Sequence, residues 1–206
     1  MRIVKQSVEL ESITPNAVQL IERAGRTCYK SEDRVTDDSA EAFVKMILKR
    51  GHHSVIEHAA QASFRVICDR GVSHEFVRHR LMSFSQESTR YCNYAKGKFG
   101  GEIAVIELGF TGDMRRVWEG AMLAAETAYL SLVEAGAPPQ FARSVLPTCL
   151  KTELVATANF REWRHFLKLR TAPAAHPQMR EVAYMIADIL LEHARVCFED
   201  VVSPER

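Results

Sequence analysis

Four basic side chains, Arg78, His79, Arg80 and Arg90, stand within thirteen residues of this chain. Only Glu87 opposes them there, and Ser83, Ser85, Ser88, Thr89 and Tyr91 add five hydroxyls. Guanidinium groups offer paired donors that match phosphate oxygens, and hydroxyls fill the remaining lone pairs. The run RHRLMSFSQESTRY therefore has the chemistry of a phosphate grip. It lacks helical or strand periodicity, which predicts an ordered loop over much of it. A solvated basic helix end followed by a serine-rich turn has the same composition.

Other residues suggest other chemistry. His52, His53, Glu57 and His58 carry ligand types that suit a metal. Their spacing fits no zinc motif, and a capping-box Glu with buried histidines is the simpler reading, so no metal is expected. Cys149, in PTCL, is the tempting nucleophile, but a small buried core residue is the better reading. Ser88 would need an adjacent base to attack and is read as a binding group.

These residues need elements to position them. Residues 1–10 read as a strand. Thr14-Pro15 predicts a capped helix start. Ser39 predicts the cap of a second helix, with Phe43, Val44, Ile47 and Leu48 on one face and Gly51 ending it. Ser54 with Glu57 has capping-box spacing for a short helix. Phe64, Val66 and Cys68 alternate as in a strand. Asp69-Arg70-Gly71 turns the chain, and Ser73 starts a helix that carries Arg78, His79 and Arg80. Glu102 to Leu108 predicts a strand. A long helix follows from about Gly112 to Ala135, with Met114, Val117, Trp118, Ala121, Ala125, Ala128 and Leu132 as its inner stripe, and Gly136 and Pro138-Pro139 stop it. A shorter helix holds Phe141, Arg143 and Val145. Leu150 to Ala158 predicts a strand, Asn159 caps a helix through Arg170, and a last helix runs from Pro177 to about Phe198. Strands and helices mix without steady alternation, so the expected class is α+β.

Length and composition set the remaining bounds. The 206 residues, 47% of them hydrophobic, suit a single domain over 1–206 with a real core. Lys plus Arg is 27 against 26 for Asp plus Glu, a net charge of +1. That balance argues against a nucleic-acid coat or a membrane-surface protein. Five cysteines without a C-x-x-C pair, and an N-terminal MRIVKQSVEL unlike a signal peptide, predict reduced thiols in a cytoplasmic protein. No apolar run approaches the roughly 20 residues that span a bilayer.

The string RHRLMSFSQESTRY resembles the signature of the flavin-dependent thymidylate synthases, R-H-R followed by a spaced S…S-x-R-Y. Arg78, His79, Arg80, Ser83, Ser88, Arg90 and Tyr91 all fit. GHHSVIEH resembles the family's G-H-x-[ST]-x-x-E-H segment at His52, Ser54, Glu57 and His58. ARSVLP adds Arg143, NFREWRHFLKLR adds Asn159, Arg161, His165 and Arg170, AAHPQMREVA adds His176 and Gln178, and RAGRTCY near the start has a family look. Three features depart from the pattern. Ser85 and Gln86 stand where many members carry Asn and Glu, His165 stands where Asn is common, and the loop between Arg170 and His176 is slightly longer.

The resemblance implies a methyltransferase that makes thymidylate from dUMP. It takes a methylene group from 5,10-methylenetetrahydrofolate as co-substrate and hydride from FAD reduced by NADPH, with no enzyme nucleophile. It also implies a mixed single domain with a central antiparallel sheet flanked by helices. The assembly would be a homotetramer with active sites shared between chains, without nucleic-acid or membrane partners. No dinucleotide-binding fold is required, in keeping with the absence of G-x-G-x-x-G or P-loop motifs. By the same resemblance Arg78, His79, Arg80 and Leu81 lie along FAD, with Ser54, Asn159, Arg161 and His165 adding contacts and His52 near the flavin and folate rings. Gln86 touches both ligands. Glu87, Ser88, Thr89, Arg90 and Arg143 take dUMP, assisted by Glu75, Phe76, Val77 and Arg78. Arg170, beside N3 and O2 of the uracil, is the catalytic residue, because a guanidinium there stabilises the charge that develops as C5 becomes electron-rich.

Overall fold

The computed structural model describes residues 1–59 and 61–205, and Lys98 by its backbone alone. Strands and helices follow in the order β1 (Arg2–Val4), β2 (Ser7–Ile13), α1 (Ala17–Thr27), α2 (Ser39–Lys49), β3 (Ala62–Asp69), α3 (Arg70–Phe76), β4 (Ser83–Gln86), β5 (Ala104–Ile106), α4 (Gly112–Glu134), α5 (Pro139–Ala142), β6 (Lys151–Ala158), α6 (Phe160–Arg170) and α7 (Pro177–Ala194). The fold is α+β, as expected. An antiparallel sheet has the order β2-β3-β6-β4, and β1 pairs with β5 in parallel. The chain divides into two compact units, one of Met1–Ser7, Val66–Phe76 and Ser85–Leu154, the other of Val8–Arg65, Val77–Phe84 and Val155–Arg206.

In the first unit Tyr94, Ile103, Val105, Tyr129 and Leu150 form the core. The long helix α4 is present, but the expected inner stripe is displaced. Only Tyr129 is fully buried, and Trp118, Met122, Leu130 and Val133 pack beside it. Met114 and Val117 are 63% and 70% exposed. Both faces of α4 are apolar, so periodicity alone could not choose between them.

In the second unit α6 is held at three points. Asn159 Oδ1 accepts from the Glu162 amide at 2.9 Å, the expected cap. Trp163 is fully buried, donates from Nε1 to the Ala62 carbonyl at 2.9 Å, and meets Phe64 edge-on at 5.0 Å. Arg164 grips both carboxylate oxygens of Asp200 at 2.5 and 2.7 Å. Helices α1 and α2 pack so closely that a Cβ on Gly25 would lie 2.6 Å from the Phe43 ring.

Four local expectations are corrected. Ser39 does not cap α2 but is its first residue, with Asp38 in the cap position and the Ser39 hydroxyl accepting from the Thr36 amide at 2.9 Å. Thr14 does not cap α1, because its hydroxyl and amide both bond to the backbone of Gln61, and Asn16 holds the cap position instead. Ser54 and Glu57 form no capping box in the 3-10 helix His53–His58, and Glu57 pairs with Arg161 at 2.5 Å. Helix α3 begins at Arg70, with Asp69 Oδ1 accepting from the Val72 amide at 2.7 Å, and ends at Phe76. Arg78, His79 and Arg80 therefore lie beyond it. Arg78 and Arg80 are exposed and His79 is buried, in a turn that the Met82 amide closes on the His79 carbonyl at 3.1 Å.

Candidate active site

The turn after α3 places Arg78 and Arg80 outward in the second unit, with no ion-pair partner for either among the described residues. Leu81 follows, 80% exposed despite being apolar. It lines a pocket of about 380 Å³ with Glu57, Asn159, Arg161, Glu162 and His165. Four residues expected at the flavin, Leu81, Asn159, Arg161 and His165, thus converge from two separate motifs. Asn159 gives its oxygen to the helix cap, which leaves its amide NH2 for a ligand. A smaller pocket of about 210 Å³ takes in His52 and Ser54, together with Cys28, Tyr29 and Arg50.

His79, expected along FAD with its neighbours, is instead the buried member of the R-H-R run, and its side chain is not open to a ligand as theirs are. Its ring meets Phe166 at 5.0 Å and His165 at 5.6 Å. Arg170 Nε donates to its Nε2 at 3.1 Å. Its Nδ1 lies 3.6 Å from Glu162 Oε1. Burial holds the His79 pKa down to about 4, with help from the charges of Arg170 and His165. The approach to Glu162 is thus that of a neutral ring and makes no ion pair. Burial also raises the Glu162 pKa. Ligand atoms of His79, Glu162 and His165 lie within 4.8 Å of one another, but the guanidinium on His79 Nε2 opposes a second cation there.

The first unit carries the other cluster. Arg143 Nη1 donates to Thr89 Oγ1 at 3.2 Å, joining two motifs 54 residues apart. Arg90 is exposed, with its guanidinium 5.4 Å from the Tyr91 ring centre, and its amide donates to Ser88 Oγ at 3.3 Å. Glu87 braces this loop. Its carboxylate accepts from Tyr94 Oη at 2.9 Å and Lys151 Nζ at 2.8 Å. Gln86 donates inward, to Ser73 Oγ at 2.9 Å and Thr152 Oγ1 at 3.1 Å, and Arg70 joins the same Thr152 at 3.2 Å. Glu75 is half-buried and Val77 exposed, whereas Phe76 is fully buried and has only its backbone to offer.

Residues 9–194 match the family model described as "Thymidylate synthase complementing protein". The flavin-dependent thymidylate synthase of Geobacter sulfurreducens is 33% identical over 193 residues, spanning 91% of this chain and 83% of that protein. The enzyme of the same name from Corynebacterium aurimucosum is 32% identical, spanning 93% and 83%. The chain belongs to the flavin-dependent thymidylate synthase family. A UMP/dUMP methylase, PolB from Streptomyces cacaoi, bound with 5-Br dUMP, superposes with a TM-score of 0.79 at 26% identity, over 97% of this chain and 96% of that one. Thymidylate Synthase X from Helicobacter pylori, solved with FAD and dUMP, has the same fold, with a TM-score of 0.80 at 23% identity over 96% and 99%.

Some members of these clusters have no ligand role in the motif reading. Glu57, read as a helix cap, lines the larger pocket and holds Arg161. Tyr29 and Arg50 line the smaller one, and only the RAGRTCY likeness hinted at Tyr29. Glu162 carried no signal beyond its place on α6.

Proposed function

We infer that this chain carries out the reaction of the flavin-dependent thymidylate synthases, converting dUMP to dTMP with 5,10-methylenetetrahydrofolate as carbon donor, NADPH as reductant and FAD as cofactor. The observation that carries the reading, beside family membership, is the convergence of Leu81, Asn159, Arg161 and His165 on one pocket. The residues present fit a flavin dinucleotide. An exposed apolar side chain offers a surface to a ring, an amide NH2 and an imidazole offer polar contacts, and Arg78, Arg80 and Arg161 supply charge for a pyrophosphate. When bound, FAD supplies the hydride.

The chain's own residues bind, orient and polarise. Ser88, Thr89, Arg90 and Arg143 take the phosphate and sugar of dUMP, with backbone groups of Glu75 to Arg78 assisting. Glu87 holds that loop through Tyr94 and Lys151. His52 and Ser54 serve the ring end of the cofactor and the folate. Arg170 stabilises charge on the uracil as C5 becomes electron-rich. No thiol need attack. Cys149 is buried, and burial raises its pKa, which keeps it a poor nucleophile.

The reading includes a homotetramer with shared active sites. Supporting it, α4 exposes Met114, Val117 and Leu132 along one side, an apolar face suited to burial against another chain. Residues 1–206 act as one functional domain. Among the described residues no helix is long and apolar enough to cross a membrane, and a cytoplasmic place of action suits the five free thiols.

The test is direct. The purified protein is expected to be yellow and, given NADPH and methylenetetrahydrofolate, to turn dUMP into dTMP. UMP assayed in parallel reads whether a 2′-hydroxyl is accepted. A colourless protein that neither binds FAD nor makes thymidylate refutes the reading.

A further inference from the structure

Within the R-H-R run, His79 differs in kind from its neighbours. The arginines on either side face solvent, while His79 is 4% exposed. Its two ring nitrogens have different surroundings. Nε2 accepts the Nε–H of Arg170 at 3.1 Å. An imidazole nitrogen that accepts a hydrogen bond carries no proton, so the ring's proton belongs on Nδ1. Nδ1 is buried, forms no direct hydrogen bond, and has Glu162 Oε1 at 3.6 Å.

An arginine at the end of a helix has a long side chain with several free torsions. A fixed acceptor on Nε removes much of that freedom, because the Nε–H lies in the guanidinium plane. Once that bond is set, the direction of the terminal nitrogens is set as well. The acceptor here cannot drift, since Phe166 and His165 enclose its ring and α6, which carries both of them as well as Arg170, is pinned by Trp163 and Arg164.

We propose that His79 is a positioning residue for Arg170, a neutral acceptor built into the core that fixes the guanidinium plane, with Glu162 selecting the Nδ1–H tautomer. This rests on the reading of Arg170 as the catalytic residue. Protonation of His79 would replace the acceptor with a donor facing a cation. The charged and titratable groups around the ring are Arg170, His165 and Glu162; burial, with the charges of Arg170 and His165, leaves the ring neutral above about pH 4.

The test uses the holoenzyme. His79→Leu fills similar space without an acceptor, and kcat is expected to fall by about 10²-fold with FAD content retained, as for a misaligned catalytic group. His79→Gln, whose side-chain oxygen can reach the place of Nε2, is expected to recover most of that loss. Adding His79→Leu to Arg170→Ala is expected to cost nothing further, since the group being positioned is gone. Additive losses, or a Gln variant as poor as the Leu variant, overturn the positioning role and leave Arg170 catalytic. Near-normal turnover of Arg170→Ala alone overturns both. Should His79→Leu fail to fold, 15N NMR of histidine-labelled wild-type enzyme decides the matter. A protonated Nδ1 with a bare Nε2 at His79 is expected, and an Nε2–H signal overturns the proposal.

Discussion

Replacing Asn159 separates the task of holding a helix from that of holding a cofactor. Its oxygen caps α6 through the Glu162 amide at 2.9 Å, and the residue also lines the pocket assigned to FAD. Asn159→Ala loses both functions. The cap is worth about 1 kcal/mol, which in a chain of this size lowers the melting temperature by about 2–4 °C. One lost amide hydrogen bond to a ligand, about 1 kcal/mol, weakens binding about 5-fold. Arg161 stands in the first turn that the cap orders, so fraying adds to the second effect. Asn159→Ser keeps a capping oxygen but not the longer NH2 donor. Its melting temperature should stay near that of the parent, while FAD affinity falls as it does for alanine. Thermal unfolding of the flavin-free protein and a flavin fluorescence titration read the two quantities separately. A serine variant that binds FAD as tightly as the parent would remove this side chain from the cofactor site.

Arg170→Ala should keep its FAD and lose about 10²-fold or more in turnover, and near-normal turnover would take Arg170 out of the mechanism. Arg143→Ala should raise KM for dUMP by about 10- to 150-fold, the equivalent of one charge-assisted hydrogen bond, with FAD affinity unchanged; an unaltered KM contradicts the phosphate role. Cys149→Ala should stay active, and a folded but inactive variant would restore the thiol as a candidate. Burial pushes the Asp200 carboxyl up, but the hydrogen bond and charge of Arg164 outweigh it and leave the pKa below the ordinary 3.8. The sign follows from linkage: this contribution to stability is complete above the ordinary value and is lost as pH falls through the folded one. Asp200→Asn should therefore flatten part of the acid limb of a melting-temperature profile, and an unchanged limb would show that the pair contributes nothing.

Local signals served the elements well. The Asn159 cap and the strand leading into it were legible because all their determinants lie within a few residues. Elements settled by distant partners were not. Thr14 is claimed by Gln61, 47 residues away, and Glu57 by Arg161, 104 residues away. The R-H-R run reads as helix because nothing in its three residues marks that α3 stops at Phe76. Its burial pattern became legible only with Phe166 and His165 beside it. The face of α4 was misjudged because apolar residues occupy both candidate stripes. At the site, motif likeness supplied the members and the fold supplied their relations. That His79 accepts from Arg170, and that Gln86 shares Thr152 with Arg70, depends on contacts between residues 91, 66 and 82 positions apart.

The most direct measurement is an anaerobic single turnover. The protein with its flavin reduced by NADPH is mixed with methylenetetrahydrofolate and dUMP, and flavin absorbance and nucleotide are followed together. The account predicts that the oxidised flavin spectrum returns as dTMP appears, in equal amounts. Flavin that stays reduced, or dTMP formed equally well by protein stripped of flavin, would contradict it.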